Sequence, residues 1–216
     1  MISTIIFDLD GLLADTEPIH CRSYQDVLAA NGVRLGEKEY IEHWVRTGRG
    51  IVDWVELHGL KLDPYGIRIQ KSQRYLELLP SLLRPMEGAI DLLEALRGKK
   101  TLALASSSYR DAVDAVLQGL NVADCFSAIL SGLDVMAVKP APDIFLAAAA
   151  RAGASPQECL VIEDAEKGII AAHRAGMRSI AIPNVYTRHH DFSKANLICT
   201  SLREITLDLI DTIDAS

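Results

Sequence analysis

Six short apolar runs, "STIIFD", "KTLALAS", "SAILSG", "CLVIED", "SIAIP" and "NLICT", recur along the chain, with helix-type patterns separating most of them. Runs this short and this uniformly apolar suit strands covered on both faces, and strands that alternate with helices build parallel sheets. An α/β fold follows. The segments between the runs agree: "EGAIDLLEALRG" puts Ile90, Leu93 and Leu96 along one face, and "YRDAVDAVLQGL", "DIFLAAAARAGA" and "AEKGIIAAHRAG" are further helical patterns. Gly98, Gly119, Gly153 and Gly176 stand near their ends as stop signals.

The rhythm breaks between about Glu17 and Leu83. That span holds no strand pattern but several amphipathic ones, "PIHCRSYQDVLAANG", "KEYIEHWV", "GIVDWVELHGL" and "YGIRIQKSQRYLELLPSLL", which read as a small helical bundle. It is an insertion after the first strand, and Pro85 and Gly88 in "LLRPMEG" mark the return to the α/β pattern. The expected organisation is a core domain of residues 1–16 and 84–216 and a helical domain of residues 17–83.

With 216 residues and 49% hydrophobic content, the chain can bury one good core and a smaller accessory unit. Lys and Arg total 22 against 29 Asp and Glu, a net charge of -7, so no global field draws in nucleic acid or an anionic membrane. Any anionic ligand must be met locally. Cys21, Cys125, Cys159 and Cys199 are scattered, without a Cys-x-x-Cys pair, and read as free thiols of a reducing compartment. The first apolar run is interrupted by Asp8 and Asp10 and has no basic leader, so it does not read as a signal peptide, and no uncharged run reaches membrane-spanning length. A cytoplasmic protein is expected, with a monomer as the default.

Two carboxylates, Asp8 and Asp10, end the first apolar run in "IIFDLDG". Residues two apart on a strand share a face, so the pair projects together if the strand persists that far, and Gly11 allows an abrupt turn. Ligand crevices of open parallel sheets form at such strand ends. A lone Asp there would read as a cap. However, "CLVIEDAEKG" adds Glu163 and Asp164 at another strand end, and crowded carboxylates repel unless a cation or proton compensates them. All-oxygen ligation with retained water suits Mg²⁺. In "LALASSSYRD", Ser106, Ser107 and Ser108 lie at a strand-to-helix turn, where hydroxyls and free N–H groups make an anion site. Lys139, in "MAVKPAPDIF", sits in a proline-stiffened segment and can neutralise charge on a transferring phosphoryl group.

Taken in order, "FDLDG", "ASSS", "VKPAPDIF" and "VIEDAEKGI" resemble the four motifs of the haloacid dehalogenase superfamily, in the branch of β-phosphoglucomutase and sugar-phosphate phosphatases. The resemblance covers essentially the whole chain. It implies a Rossmann-like core with a helical cap, Mg²⁺ dependence and an aspartyl-phosphate intermediate. By that likeness Asp8 is the nucleophile, Asp10 the general acid/base, and Ser106, Ser107 and Lys139 meet the phosphoryl group. Mg²⁺ is assigned to the Asp8 side chain, the Asp10 backbone carbonyl and Asp164, with Glu163 as ligand or support.

An acid/base Asp at position 10 also argues against dehalogenation, because a departing halide needs no proton. In the cap, the resemblance points to Thr16 and His20 in "DTEPIH", Arg49 in "TGRG" and Lys71 in "IQKSQRY" as substrate contacts; each also reads as an ordinary helix or loop residue. Trp44, Trp54 and Tyr75 line a cap pocket or fill its core. Mutase relatives carry Ser-Lys-Asn shortly after the motif serine, where this chain has Ser108, Tyr109 and Arg110. His189 and His190 lack a third ligand and read as a polar loop. The expected activity is a Mg²⁺-dependent phosphatase for a small phosphorylated metabolite, a sugar or polyol phosphate. A phosphomutase and a non-catalytic phosphometabolite-binding protein are the alternatives.

Overall fold

The computed structural model describes residues 1–215. All six apolar runs form strands: β1 (Thr4–Phe7), β2 (Thr101–Ala105), β3 (Ala128–Leu130), β4 (Cys159–Glu163), β5 (Arg178–Ala181) and β6 (Leu197–Ile198). They make one sheet in the order β3-β2-β1-β4-β5-β6, and every pairing is parallel. This is the doubly wound order, whose direction of travel reverses beside β1, so the crevice for a ligand opens at the carboxyl ends of β1, β2 and β4. The middle strands are buried on both faces; Ile5, Ile6, Phe7, Leu104, Val161 and Ile162 are fully enclosed.

The chain divides into two compact units, Met1–Asp15 with Arg84–Ser216, and Thr16–Leu83. The first break thus falls one residue before the expected boundary. In the larger unit, α5 (Ala89–Leu96), α6 (Arg110–Leu120), α7 (Asp143–Ala152), α8 (Glu166–Arg174) and α9 (Leu207–Ala215) accompany the sheet. Packing explains their periodicity: Ile144, Phe145, Ala148 and Ala149 of α7 join Ile6, Ala103, Leu130 and Val161 of the strands in one cluster. Gly153 ends α7 with φ of 73°, whereas α6 stops at Asn121 with φ of 56°. Gly119 therefore lies inside the last turn of α6, and an asparagine supplies the left-handed residue that was expected of the glycine.

The smaller unit holds helices joined by loops and, among the described residues, no strand. It consists of α1 (Glu17–Ala30), α2 (Glu37–Tyr40) running into a π-helical segment Ile41–Arg46, α3 (Ile51–Leu57) and α4 (Pro64–Leu82). Val27, Leu28, Tyr40, Trp54 and Ile67 form its core. Trp54 and Tyr75 are almost fully enclosed, so both are packing residues here. No described helix is long and apolar enough to cross a membrane.

Candidate active site

The register of the sheet brings the first two acidic motifs together. Phe7 pairs with Ile162, so the residues that follow them, Asp8 and Glu163, are neighbours, and the Asp8 N–H donates to the Ile162 carbonyl at 3.1 Å. β1 ends at Phe7, before either aspartate. The two side chains consequently take different surroundings and do not continue a common strand face.

Lys139 ties three strand ends to one point. Its ammonium donates to Asp8 Oδ1 at 2.5 Å, to the Ala105 carbonyl at 2.8 Å and to Glu163 Oε1 at 2.8 Å. The lysine follows β3 in sequence and the Lys139–Pro140 peptide is cis. The Lys139 and Glu163 side chains are each 1% exposed, so the pair is held in a dry interior where an unpartnered charge would be costly. The second Glu163 oxygen accepts from the Ala165 N–H at 2.9 Å. Both oxygens of Glu163 are thus engaged in orienting Lys139 and the turn before α8.

Asp8, Glu163 and Asp164 each offer a carboxylate oxygen within 4.8 Å of the others, and all three residues are buried. One ammonium faces three carboxylates. Burial pushes the Asp8 carboxyl up; Lys139 pulls it back, Glu163 and Asp10 add to the rise, and the result is about 7. Burial likewise lifts Asp164, helped by Glu163 and Asp8. Burial would lower Lys139, yet Asp8 and Glu163 outweigh it and raise the ammonium above its ordinary value. The shared cause is surplus negative charge in a desolvated cluster, which a divalent cation relieves. The donor set is all oxygen, and space at the cluster is kept open by Gly11, whose φ is +82° and where a Cβ would lie 2.6 Å from Asp164 Oδ2. These residues fit Mg²⁺.

Asp10 occupies a different environment. Its Oδ2 accepts from Ser106 Oγ at 3.1 Å and Ser108 Oγ at 2.7 Å, while the Ser108 N–H donates to Ser106 Oγ at 3.0 Å. Two serine hydroxyls thus converge on one of its oxygens. The buried Ser107 Oγ makes no hydrogen bond among the described residues. The loop is anchored from below: Arg110, at the start of α6, reaches Asp134 Oδ2 at 2.6 Å and the Ile129 carbonyl at 3.1 Å. Asp134 Oδ2 also accepts from the Ser131 N–H and hydroxyl, and Oδ1 from Arg151 at 3.0 Å.

One residue outside the four motifs completes the cluster. Asn184 donates from Nδ2 to Asp164 Oδ2 at 2.8 Å and to the Gly11 carbonyl at 3.0 Å. No local pattern in "IPNVYT" marks it, because its partners are 20 and 173 residues away.

In the smaller unit, Lys71 Nζ lies 2.6 Å from His20 Nδ1, and the His20 ring stacks on Tyr75 with centroids 4.3 Å apart. Lys71 also stands over the Tyr24 ring at 5.4 Å. Thr16 is buried at the start of α1, where its carbonyl accepts from the N–H groups of Ile19 and His20. Arg49 is exposed on the loop before α3, with its N–H donating to Thr47 Oγ1 at 3.3 Å. His189 and His190 belong to no metal-type cluster among the described residues; the His190 ring accepts from the Glu166 N–H at 3.4 Å.

A sheet of this order with acidic, lysine and serine residues gathered at its carboxyl edge defines a hydrolase class. The family model of haloacid dehalogenase-like hydrolases matches residues 2–176, and the chain belongs to that family. Fructose-1-phosphate phosphatase YqaB of Escherichia coli (strain K12) is 32% identical over 179 residues, which are 82% of this chain and 95% of the relative. The crystal structure of CbbY from Rhodobacter sphaeroides in complex with phosphate superposes with a TM-score of 0.87 at 30% identity, covering 98% of this chain and 100% of the other. That of β-phosphoglucomutase from Clostridium difficile gives 0.80 at 26% identity, covering 100% and 98%.

Proposed function

We propose that this protein is a Mg²⁺-dependent phosphatase acting on a small phosphorylated metabolite, a sugar or polyol phosphate, through an aspartyl-phosphate on Asp8. The observation that carries the reading is the division of labour between Asp8 and Asp10: one carboxylate lies against an ammonium, the other is cradled by serine hydroxyls. A carboxylate beside an ammonium, which a bound cation would hold anionic, suits attack on phosphorus, and one in a polar, half-buried setting suits proton transfer. The relatives' names, a fructose-1-phosphate phosphatase among them, point to the same substrate class.

An Asp8 oxygen attacks phosphorus in line while the ester P–O bond breaks, and Asp10 gives its proton to the departing alkoxide. Water then attacks the acyl phosphate, Asp10 takes the proton, and cleavage of the bond between phosphorus and the Asp8 oxygen releases inorganic phosphate. Lys139 spreads positive charge over the transferring group, and Ser106, Ser107 and the loop N–H groups bind its oxygens. Asp8, Asp164 and the Asp10 carbonyl would hold Mg²⁺, with Glu163 supporting Lys139 beside them. When bound, the cation cancels repulsion between the carboxylate and the anionic ester.

Arg110 favours hydrolysis over mutase chemistry. At the position where mutase relatives differ, its guanidinium is committed to Asp134 and the Ile129 carbonyl, so it is not available to hold a second sugar phosphate. Phosphate release from a panel of sugar and polyol phosphates, with Mg²⁺ and then with chelator, tests the assignment. Asp8→Asn should abolish turnover. Retained activity in that variant would overturn the proposal, as would conversion of β-glucose 1-phosphate and its bisphosphate to the 6-phosphate without free phosphate. Turnover absent across the panel would leave the binding-protein alternative standing.

A further inference from the structure

We propose that Asn184 is a positioning residue for the cation site: it fixes the Asp164 carboxylate and joins it to the turn that carries Asp10. The inference rests on the Mg²⁺-phosphatase reading and assigns a role to a residue beyond the four motifs.

Geometry places Asn184 for this. Glu163 pairs with Ala181 at the end of β5, and the Ile182 N–H donates to the Glu163 carbonyl at 2.7 Å, so the chain leaving β5 runs beside Asp164. Asn184 then turns its amide toward the cluster. Both amide protons are used, one on Asp164 Oδ2 at 2.8 Å and one on the Gly11 carbonyl at 3.0 Å. A neutral donor on Oδ2 fixes the carboxylate's rotation without cancelling its charge. Asp164 so held offers a carboxylate oxygen within 4.8 Å of those of Asp8 and Glu163, with which it forms the compact trio.

The amide is itself immobilised. Asn184 Oδ1 accepts from the N–H groups of Tyr186 at 2.8 Å and Thr187 at 3.2 Å, and the Asn184 N–H donates to Thr187 Oγ1 at 3.0 Å. Thr187 is buried, so the turn does not open easily to water. Gly11 completes the fit, since a Cβ there would approach Asn184 Nδ2 to 3.0 Å. Partners that orient ligands of a metal typically govern its affinity by about 10–100-fold. Asn184 is such a partner.

The test is calorimetric titration of Mg²⁺ into substrate-free protein, for wild type, Asn184→Ser and Thr187→Val. A serine at 184 keeps an acceptor for the turn N–H groups but is too short to reach Asp164 and Gly11. Its Kd for Mg²⁺ should rise about 10–100-fold, with KM for the phosphate ester unchanged and kcat largely recovered at saturating Mg²⁺. Thr187→Val, which loosens the same turn without removing the amide donors, should lower the melting temperature and keep affinity near wild type. Equal Mg²⁺ affinity in wild type and Asn184→Ser would overturn the role of Asn184 alone. Equal weakening in both variants would also overturn it, by tracing the effect to the turn. A flat wild-type titration would overturn the cation reading beneath it, and with it this inference.

Discussion

Replacing Gly168 by alanine sets two effects against each other. Gly168 lies in the first turn of α8, where helix propensity favours alanine by about 1 kcal/mol. Its missing side chain, however, is where the Glu163 carboxyl group rests: a Cβ would lie 1.7 Å from Glu163 Oε1 and 1.9 Å from Cδ. Non-bonded atoms need about 3.5 Å, so the carboxylate must retreat by roughly 1.5–2 Å. Glu163 has no solvent to retreat into, and the shift breaks its 2.8 Å contact with Lys139 and its 2.9 Å contact with the Ala165 N–H. Unpairing a buried ion pair costs about 3–5 kcal/mol, leaving a net loss of about 2–4 kcal/mol after the helix gain. At about 2–4 °C per kcal/mol for a protein of this size, the melting temperature should fall by roughly 5–15 °C. Turnover should fall by about 10²-fold or more, as when one charge-stabilising donor is lost, because Lys139 loses one of its three anchors and shifts relative to Asp8. Scanning calorimetry and phosphate release measure both. An alanine variant that melts at or above wild type with full turnover would refute the reasoning.

The carboxylate cluster predicts how pH and cation combine. With its folded pKa raised to about 7, Asp8 contributes stability that is complete below its ordinary value and lost as pH rises through 7. Chelated protein should therefore lose melting temperature from pH 5 to pH 8, and the rise on adding Mg²⁺ should be larger at pH 8. An equal or larger rise at pH 5, by scanning fluorimetry, would count against the cluster as the site of binding. The Asp134 anchor runs the opposite way. Burial pushes its carboxyl up, but hydrogen bonds from Ser131, Arg151 and Arg110 hold it well below the usual range, so its contribution is present above the ordinary carboxylate pKa and lost in acid. Asp134→Ala leaves the Ser131 donors unpaired and takes one carboxylate from Arg110, and should cost about 1–3 kcal/mol in denaturant unfolding. KM for phosphate esters should rise as the serine loop loosens; unchanged stability and KM would show that the anchor is idle.

The strands were legible because each is a short apolar run buried on both faces, a local property that needs no knowledge of its neighbours. That Asp8, Asp10, Ser106, Glu163 and Asp164 lie near one another was legible because strand ends of a parallel sheet are where such groups can converge. The common face expected for Asp8 and Asp10 required β1 to extend, and it stops at Phe7. The helix stop expected at Gly119 passed to Asn121, since either residue type takes a left-handed turn and local sequence does not rank them.

Composition and pattern by themselves determined the α/β class, the helical insertion and the residue types available for phosphate chemistry. Tertiary structure decided which oxygen meets which donor. Lys139 meets Asp8 across 131 residues and Asn184 meets Gly11 across 173, and Glu163 needs the missing side chain of Gly168. Such contacts depend on strand order and register, which arise from packing the whole sheet, so no window of neighbouring residues encodes them.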